Sequence, residues 1–157
     1  MSRSTMSEVS IQQADFDSGA EIAQLRAASN SIGAVASFVG VVSDSSENTE
    51  VSSLTLEHYP GMTEKTIATI IAEAKQRWPL LAVKVIHRIG ELQRSDQIVF
   101  VGVASRHRGA AFSACEFIMD FLKTQAPFWK KEQTATGERW VDARSTDVAA
   151  LTRWGSS

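Results

Sequence analysis

ASRHRGAAFSACEFIMDFLKTQAPFWKKE, residues 104–132, is the stretch on which the reading of this chain turns. It begins where an apolar run, Ile98–Ala104 (IVFVGVA), ends, and that run predicts a buried, central strand. Arg106, His107 and Arg108 then stand at a turn before Gly109. Ala111, Ala114, Cys115, Ile118, Met119 and Leu122 recur at helical spacing, which predicts an amphipathic helix over 109–125. Pro127 forces Ala126 out of the helical region, and the chain arrives at Lys130 and Lys131. Five cationic side chains and one histidine therefore flank a single helix.

Working outward, Val9 and Ile11 predict a short first strand, and Asp17 or Ser18 can cap a helix reaching Ala28. Gly33–Val42 (GAVASFVGVV) reads as a buried strand in which Gly40 marks a bulge or a close backbone approach. Ser43–Glu50 is a polar hairpin loop or flap. Val51–Tyr59 alternates with period two and is expected to pair with the strand before it. Thr63 is the expected cap of the next helix, whose stripe is Ile67, Ile70, Ile71, Ala74 and Trp78, with Pro79 ending it. Val83, Val85 and His87 give a short strand closed by Gly90. After the central strand and the 109–125 helix, 128–134 and 138–143 form a hairpin around Thr136-Gly137, with Trp129 and Trp140 as packing residues. A short helix can follow in the tail. The order β-α-β-β-α-β-β-α-β-β predicts an α+β fold with mixed or antiparallel sheet. Residues 1–7 are expected to be disordered and 8–157 to form one domain.

Composition narrows the function. A net charge of -2 argues against bulk binding to nucleic acid or to a membrane surface, and no apolar run is long enough to span a bilayer. The N-terminus lacks the apolar core of a secretory signal, so the cytoplasm is the default compartment. One cysteine, Cys115, excludes an internal disulfide and a multi-cysteine metal site. His58, His87 and His107 lie on three separate elements without ligand-like spacing, so no metal is expected. Ser105, His107 and Asp120 lack the nucleophile elbow that a hydrolase triad would bring. The basic segment is more informative. Arg106-His107-Arg108 opens a helix, where backbone N–H groups attract anions and guanidinium groups add bidentate contacts. Cations at a helix start oppose the dipole, and an anionic ligand offsets that cost. Lys123 and Lys130 flank Pro127, so the fold-back can direct both ammonium groups into one space. There each favours the neutral amine of the other.

LTLEHYPGMTEKTI (54–67), HRIGEL (87–92), VASRHRGAAF (103–112), FLKTQAPFWKKE (121–132) and RWVDAR (139–144) together resemble the large, catalytic subunit of molybdopterin synthase. The resemblance runs from about Gly33 to Arg144. It implies an α/β hammerhead fold and a homodimer of large subunits. A ubiquitin-like sulfur-carrier small subunit docks at each end, giving a heterotetramer. The carrier's C-terminal Gly-Gly tail, as a thiocarboxylate, would enter a pocket where two sulfurs pass to cyclic pyranopterin monophosphate, forming the dithiolene of molybdopterin. The resemblance implies Lys123 and Lys130 as catalytic residues. It implies substrate binding by His107, Arg108, Lys123, Lys130, Lys131 and Glu132, and by the Val41-Val42-Ser43 segment. No metal or organic cofactor is implied, because the thiocarboxylate brings the sulfur.

One position departs from the family pattern. The FxGxV strand is usually followed by an arginine, whereas FVGVV is followed by Ser43. Compensation by Arg106, Arg108 or Lys131, weaker substrate affinity, and a diverged paralogue are all compatible with that change. The alternative function is a non-catalytic module that holds a ubiquitin-like tail or an anion.

Overall fold

The computed structural model describes residues 7–46, 49–141 and 145–155. Among these, four helices and two sheets form one α+β domain. In the first sheet β7 (Gln97–Ser105) lies between β5 (Leu80–Arg88) and β2 (Ala34–Val41), antiparallel to both, and β1 (Val9–Gln12) joins β5 in parallel. The sheet is mixed, as the element order predicts.

Strand β7 is apolar throughout because both of its faces are covered. Val99, Val101 and Val103 pack with Ala36, Val83 and Val85 beneath α2 (Met62–Arg77) and α3 (Arg108–Thr124). Phe100 and Ala104 pack on the other face against Leu25 of α1 (Ser18–Ala27). Each large side chain so buried contributes about 1.5–3 kcal/mol. Gly102 is required on the α1 face, since a Cβ there would stand 2.4 Å from Leu25 Cδ1. Both expected helical stripes are buried, Trp78 only partly. Gly40 shows both of its expected features. The register shifts between Gly40 and Val41, and a Cβ on Gly40 would meet Val99 Cγ1 at 2.8 Å.

The second sheet is built on β4 (Thr49–His58). On one side β4 pairs with β8 (Phe128–Thr134), which pairs with β9 (Gly137–Val141). On the other side it pairs with β6 (Gly90–Gln93) and with β3 (Ser45–Ser46). This corrects the expected pairing of 51–59 with 33–42, which lie in different sheets. The backbone of Val42 is held by the turn before β7, donating to Asp96 O at 2.9 Å and accepting from Ser95 N at 2.9 Å. The chain therefore leaves the first sheet before it turns, and Val51 N reaches Asp44 O instead. Val42, Leu54, Leu56 and Leu92 form a small core.

Two further expectations change. Helix α2 begins after Gly61, at φ +84, and not after Thr63; the Glu64 carboxylate accepts from Gly61 N at 2.8 Å. The buried Thr63 hydroxyl instead accepts from Tyr59 N and donates to Pro127 O at 3.2 Å, tying the end of β4 to the α3–β8 turn. Trp129 and Trp140 are exposed, at 47% and 58%. The aromatic packing is made by Trp154, after α4 (Ser145–Thr152), edge-on to Trp78 and Phe117. Residues 1–6 of the segment expected to be disordered, and 142–143 of the last hairpin, lie outside the described residues. Ser7 is described, and its carbonyl accepts from Lys84 Nζ at 2.6 Å.

Candidate active site

Where the two sheets meet, the end of β2, the C-terminal end of α3 and strand β8 enclose a cavity of about 390 Å³. Val42, Leu54, Leu56, Met119, Leu122 and Phe128 give it apolar walls. Lys123 enters from α3 and Lys130 from β8, so the fold-back at Pro127 brings the two lysines to one cavity as expected. Val41, Val42 and Ser43 line the same cavity, Ser43 at its exposed rim.

Strand alternation sorts the rest of the KKE run. Phe128, Lys130 and Glu132 share the cavity face of β8. Glu132 is buried, and its Oε1 accepts from Arg139 Nε at 3.0 Å and pairs with Nη2 at 2.9 Å. Arg139 thereby sits against the Glu132 carboxylate. Lys131 has the opposite parity. Its Nζ lies 3.1 Å from Glu138 and over the Trp140 ring, and it is not among the cavity residues. That alternation turns Lys131 away from the lysine cavity in which it was expected.

His107 and Arg108 lie elsewhere. With Gly33, Ala34, Arg106 and Gly109 they line a second, more open concavity at the start of α3. The turn packs on Gly33, where a Cβ would fall 2.3 Å from Arg106 O. No acidic residue occupies the first turn of α3, and His107, as N-cap, makes no side-chain capping bond. Lys123, however, is not beside this cluster. The two stand at opposite ends of one helix, roughly 22 Å apart at 1.5 Å per residue.

His87 was not among the expected site residues. It shares the parity of Val83 and Val85 on β5, is 9% exposed, and lines the lysine cavity. Its ring stacks on Phe128, with centroids 3.7 Å apart and planes at 16°, and its Nδ1 lies 2.8 Å from Arg88 O. Burial pushes its pKa down to about 4; the positive charges of Lys130, Lys123 and His58 push the same way, against the bond to Arg88. The available signal was a histidine on the core face of an apolar strand. Arg139 was also missed, although RWVDAR contains it. Cys115 is buried in α3, its thiol pushed up to about 11 by burial and then by Glu116, so it is poorly suited to carry sulfur. Among the described residues no group of three or more His, Cys, Asp and Glu could hold a metal ion.

A cavity lined by two lysines between two sheets, with a basic turn at the other end of the same helix, defines an α+β protein with two cationic concavities. The family model described as MoaE protein matches residues 11–125. A molybdopterin synthase catalytic subunit from Ralstonia nicotianae is 63% identical over 150 residues, covering 96% of this chain and 85% of that protein. The solved structure of a molybdopterin biosynthesis MoaE protein from Burkholderia ambifaria superposes with a TM-score of 0.83 at 57% identity, covering 97% of this chain and all of that one. A complex of subunits 1 and 2 of the molybdopterin-converting factor from Helicobacter pylori shares the fold, with a TM-score of 0.72 at 20% identity over 88% of this chain and 93% of that one. The chain belongs to the MoaE family, the catalytic subunits of molybdopterin synthase.

Proposed function

We propose that this enzyme of molybdenum-cofactor biosynthesis takes sulfur from a thiocarboxylated ubiquitin-like small subunit and places it on cyclic pyranopterin monophosphate. The observation that carries this reading is the convergence of Lys123 and Lys130, from two elements, on one apolar-walled cavity large enough for a small-molecule substrate. Two ammonium groups there attract the anionic tail and substrate, stabilise charge on the departing oxygen, and relay protons. The solved Helicobacter pylori complex of the two converting-factor subunits supports a small-subunit partner for this chain.

In this reading Lys123 and Lys130 act on the reacting atoms, and His107 and Arg108 hold the substrate phosphate. One copy keeps these groups a helix length apart. The proposed assembly is therefore a homodimer in which the helix start of one copy closes the lysine cavity of the other, with a small subunit on each. The proposed compartment is the cytoplasm, where the lone Cys115 thiol stays reduced.

Incubation with the thiocarboxylated carrier and cyclic pyranopterin monophosphate tests the reading. It predicts a dithiolene product and consumption of the thiocarboxylate. Carrier binding without product would return the non-catalytic alternative.

A further inference from the structure

Strand β2 closes one side of the first sheet. Among the described residues it pairs with β7 along one edge and with no strand along the other, so a row of backbone N–H and C=O groups faces outward. Edge strands that stay single are ordinarily short, charged or interrupted by proline. β2 has none of these marks: its eight residues, AVASFVGV, carry no charge and no proline. Its bulge comes only after Gly40, which leaves Ala34–Gly40 in regular register with β7. Phe38 and Val41 are exposed on it, at 40% and 53%. By contrast β9, the open edge of the second sheet, carries Glu138 and Arg139, and β1, at the far side of the first sheet, is four residues long.

We propose that the open edge of β2 pairs with the same strand of a second copy, antiparallel about a two-fold axis at Ser37 or Phe38, so that two four-stranded sheets join as one. The proposal rests on the two-copy site read above and names the surface that builds it. Residues directly opposite in an antiparallel pair point to the same face, so the axis stands normal to the sheet and keeps both α3 helices on one side. The two ends of β2 decide the occupant. Ala34 lines the basic concavity with Arg106, His107 and Arg108, whereas Gly40 lines the lysine cavity. An axis at Ser37 sets Ala34 against Gly40 of the second copy, and an axis at Phe38 sets Ala36 there, with the strands about 4.8 Å apart. One self-complementary contact thereby carries the basic turn of each copy to the lysine cavity of the other. A different protein on this edge would pair the backbone, yet leave the two ends of α3 roughly 22 Å apart within the single copy.

Cysteine cross-linking tests the pairing directly, because Cys115 is buried while Ser37 and Phe38 are exposed. Residues facing each other across such an axis have Cα atoms about 4.5–5.5 Å apart, within disulfide reach. Ser37→Cys and Phe38→Cys, made separately and oxidised, should give a disulfide-linked dimer at one of the two positions, reversed by reductant. Trp140→Cys, exposed on the other sheet, serves as the control and should give none. No linked dimer at either position, or an equal yield from the control, would overturn the proposal. Phe38→Asp sets two carboxylates against the contact and should shift the mass in light scattering from a dimer to the 17.1 kDa chain, with circular dichroism unchanged. A folded Phe38→Asp protein that stays dimeric would overturn the proposal as well, and if that variant fails to fold the disulfides decide. The readings fail separately. A dimer that forms without β2 removes this surface alone, and a monomeric wild type removes the two-copy site with it. Disulfide-linked dimers from a wild-type sequence that forms no dithiolene would sink the sulfur-transfer reading and leave the interface standing.

Discussion

Ser43 sits on the rim of the lysine cavity, where relatives resembling this chain are expected to carry arginine. A guanidinium–phosphate contact contributes roughly 1.5–3 kcal/mol, more than a neutral hydroxyl can. Ser43→Arg should therefore lower the substrate KM about tenfold, and Arg108→Ala should raise it. An unchanged KM in Ser43→Arg would mean that another cation already fills the position. His87 gives a pH prediction. Its folded pKa, about 4, lies below the ordinary 6.5, so between those values the unfolded chain binds the extra proton. Stability from this group is complete above pH 6.5 and is lost as pH falls towards 4, by an amount on the order of 3 kcal/mol. Urea unfolding at pH 7 and 4.5 should show a larger loss in the wild type than in His87→Phe; equal losses would contradict the assignment. Both lysines were legible in the sequence because their spacing about Pro127 constrains the backbone between them. Lys131 and His87 were not, since strand parity decides which side chains reach the cavity and parity depends on where β5 and β8 begin.

At the scale of elements, periodicity located the helices and strands well. The α3 stripe is an example, because a 3.6-residue repeat is a property of the helix alone. Period two in 51–59 identified a strand, but it carries no information about which neighbour pairs with it. That choice lies in the turn after Val42, and β6, four residues long, has too few residues for a pattern. The tryptophans show the same limit. Size alone made Trp129 and Trp140 candidates for packing, while Trp154 occupies the cluster with Trp78 and Phe117 and donates Nε1–H to Asp120 at 2.6 Å. Trp154→Ala should cost about 2–4 kcal/mol in urea unfolding, by removing a packed aromatic and leaving a cavity. Trp140→Ala, at an exposed site, should change stability by no more than about 0.5 kcal/mol. A reversed order of the two would show that α4 is not docked as described.

At the scale of the whole molecule, α3 and β2 each run from the basic turn to the lysine cavity, and in the proposed dimer these two ends serve as half-sites. Light scattering should give a dimer of the 17.1 kDa chain. At a substrate concentration far below the raised KM of Arg108→Ala, mixing Lys123→Ala with Arg108→Ala should bring activity to about a quarter of wild type once subunits exchange, because half of the dimers then hold one intact pocket. No recovery would place both half-sites in service of the same copy. If the lysine cavity performs the sulfur transfer, single-turnover product formation by Lys123→Ala must reveal it. Lys123→Arg belongs in the same experiment, since it keeps the charge but cannot become a neutral amine near pH 7. Lys123→Ala should bind the carrier and unfold at the wild-type temperature, yet form dithiolene at least about 100-fold more slowly. Near-wild-type product formation by that variant would contradict it.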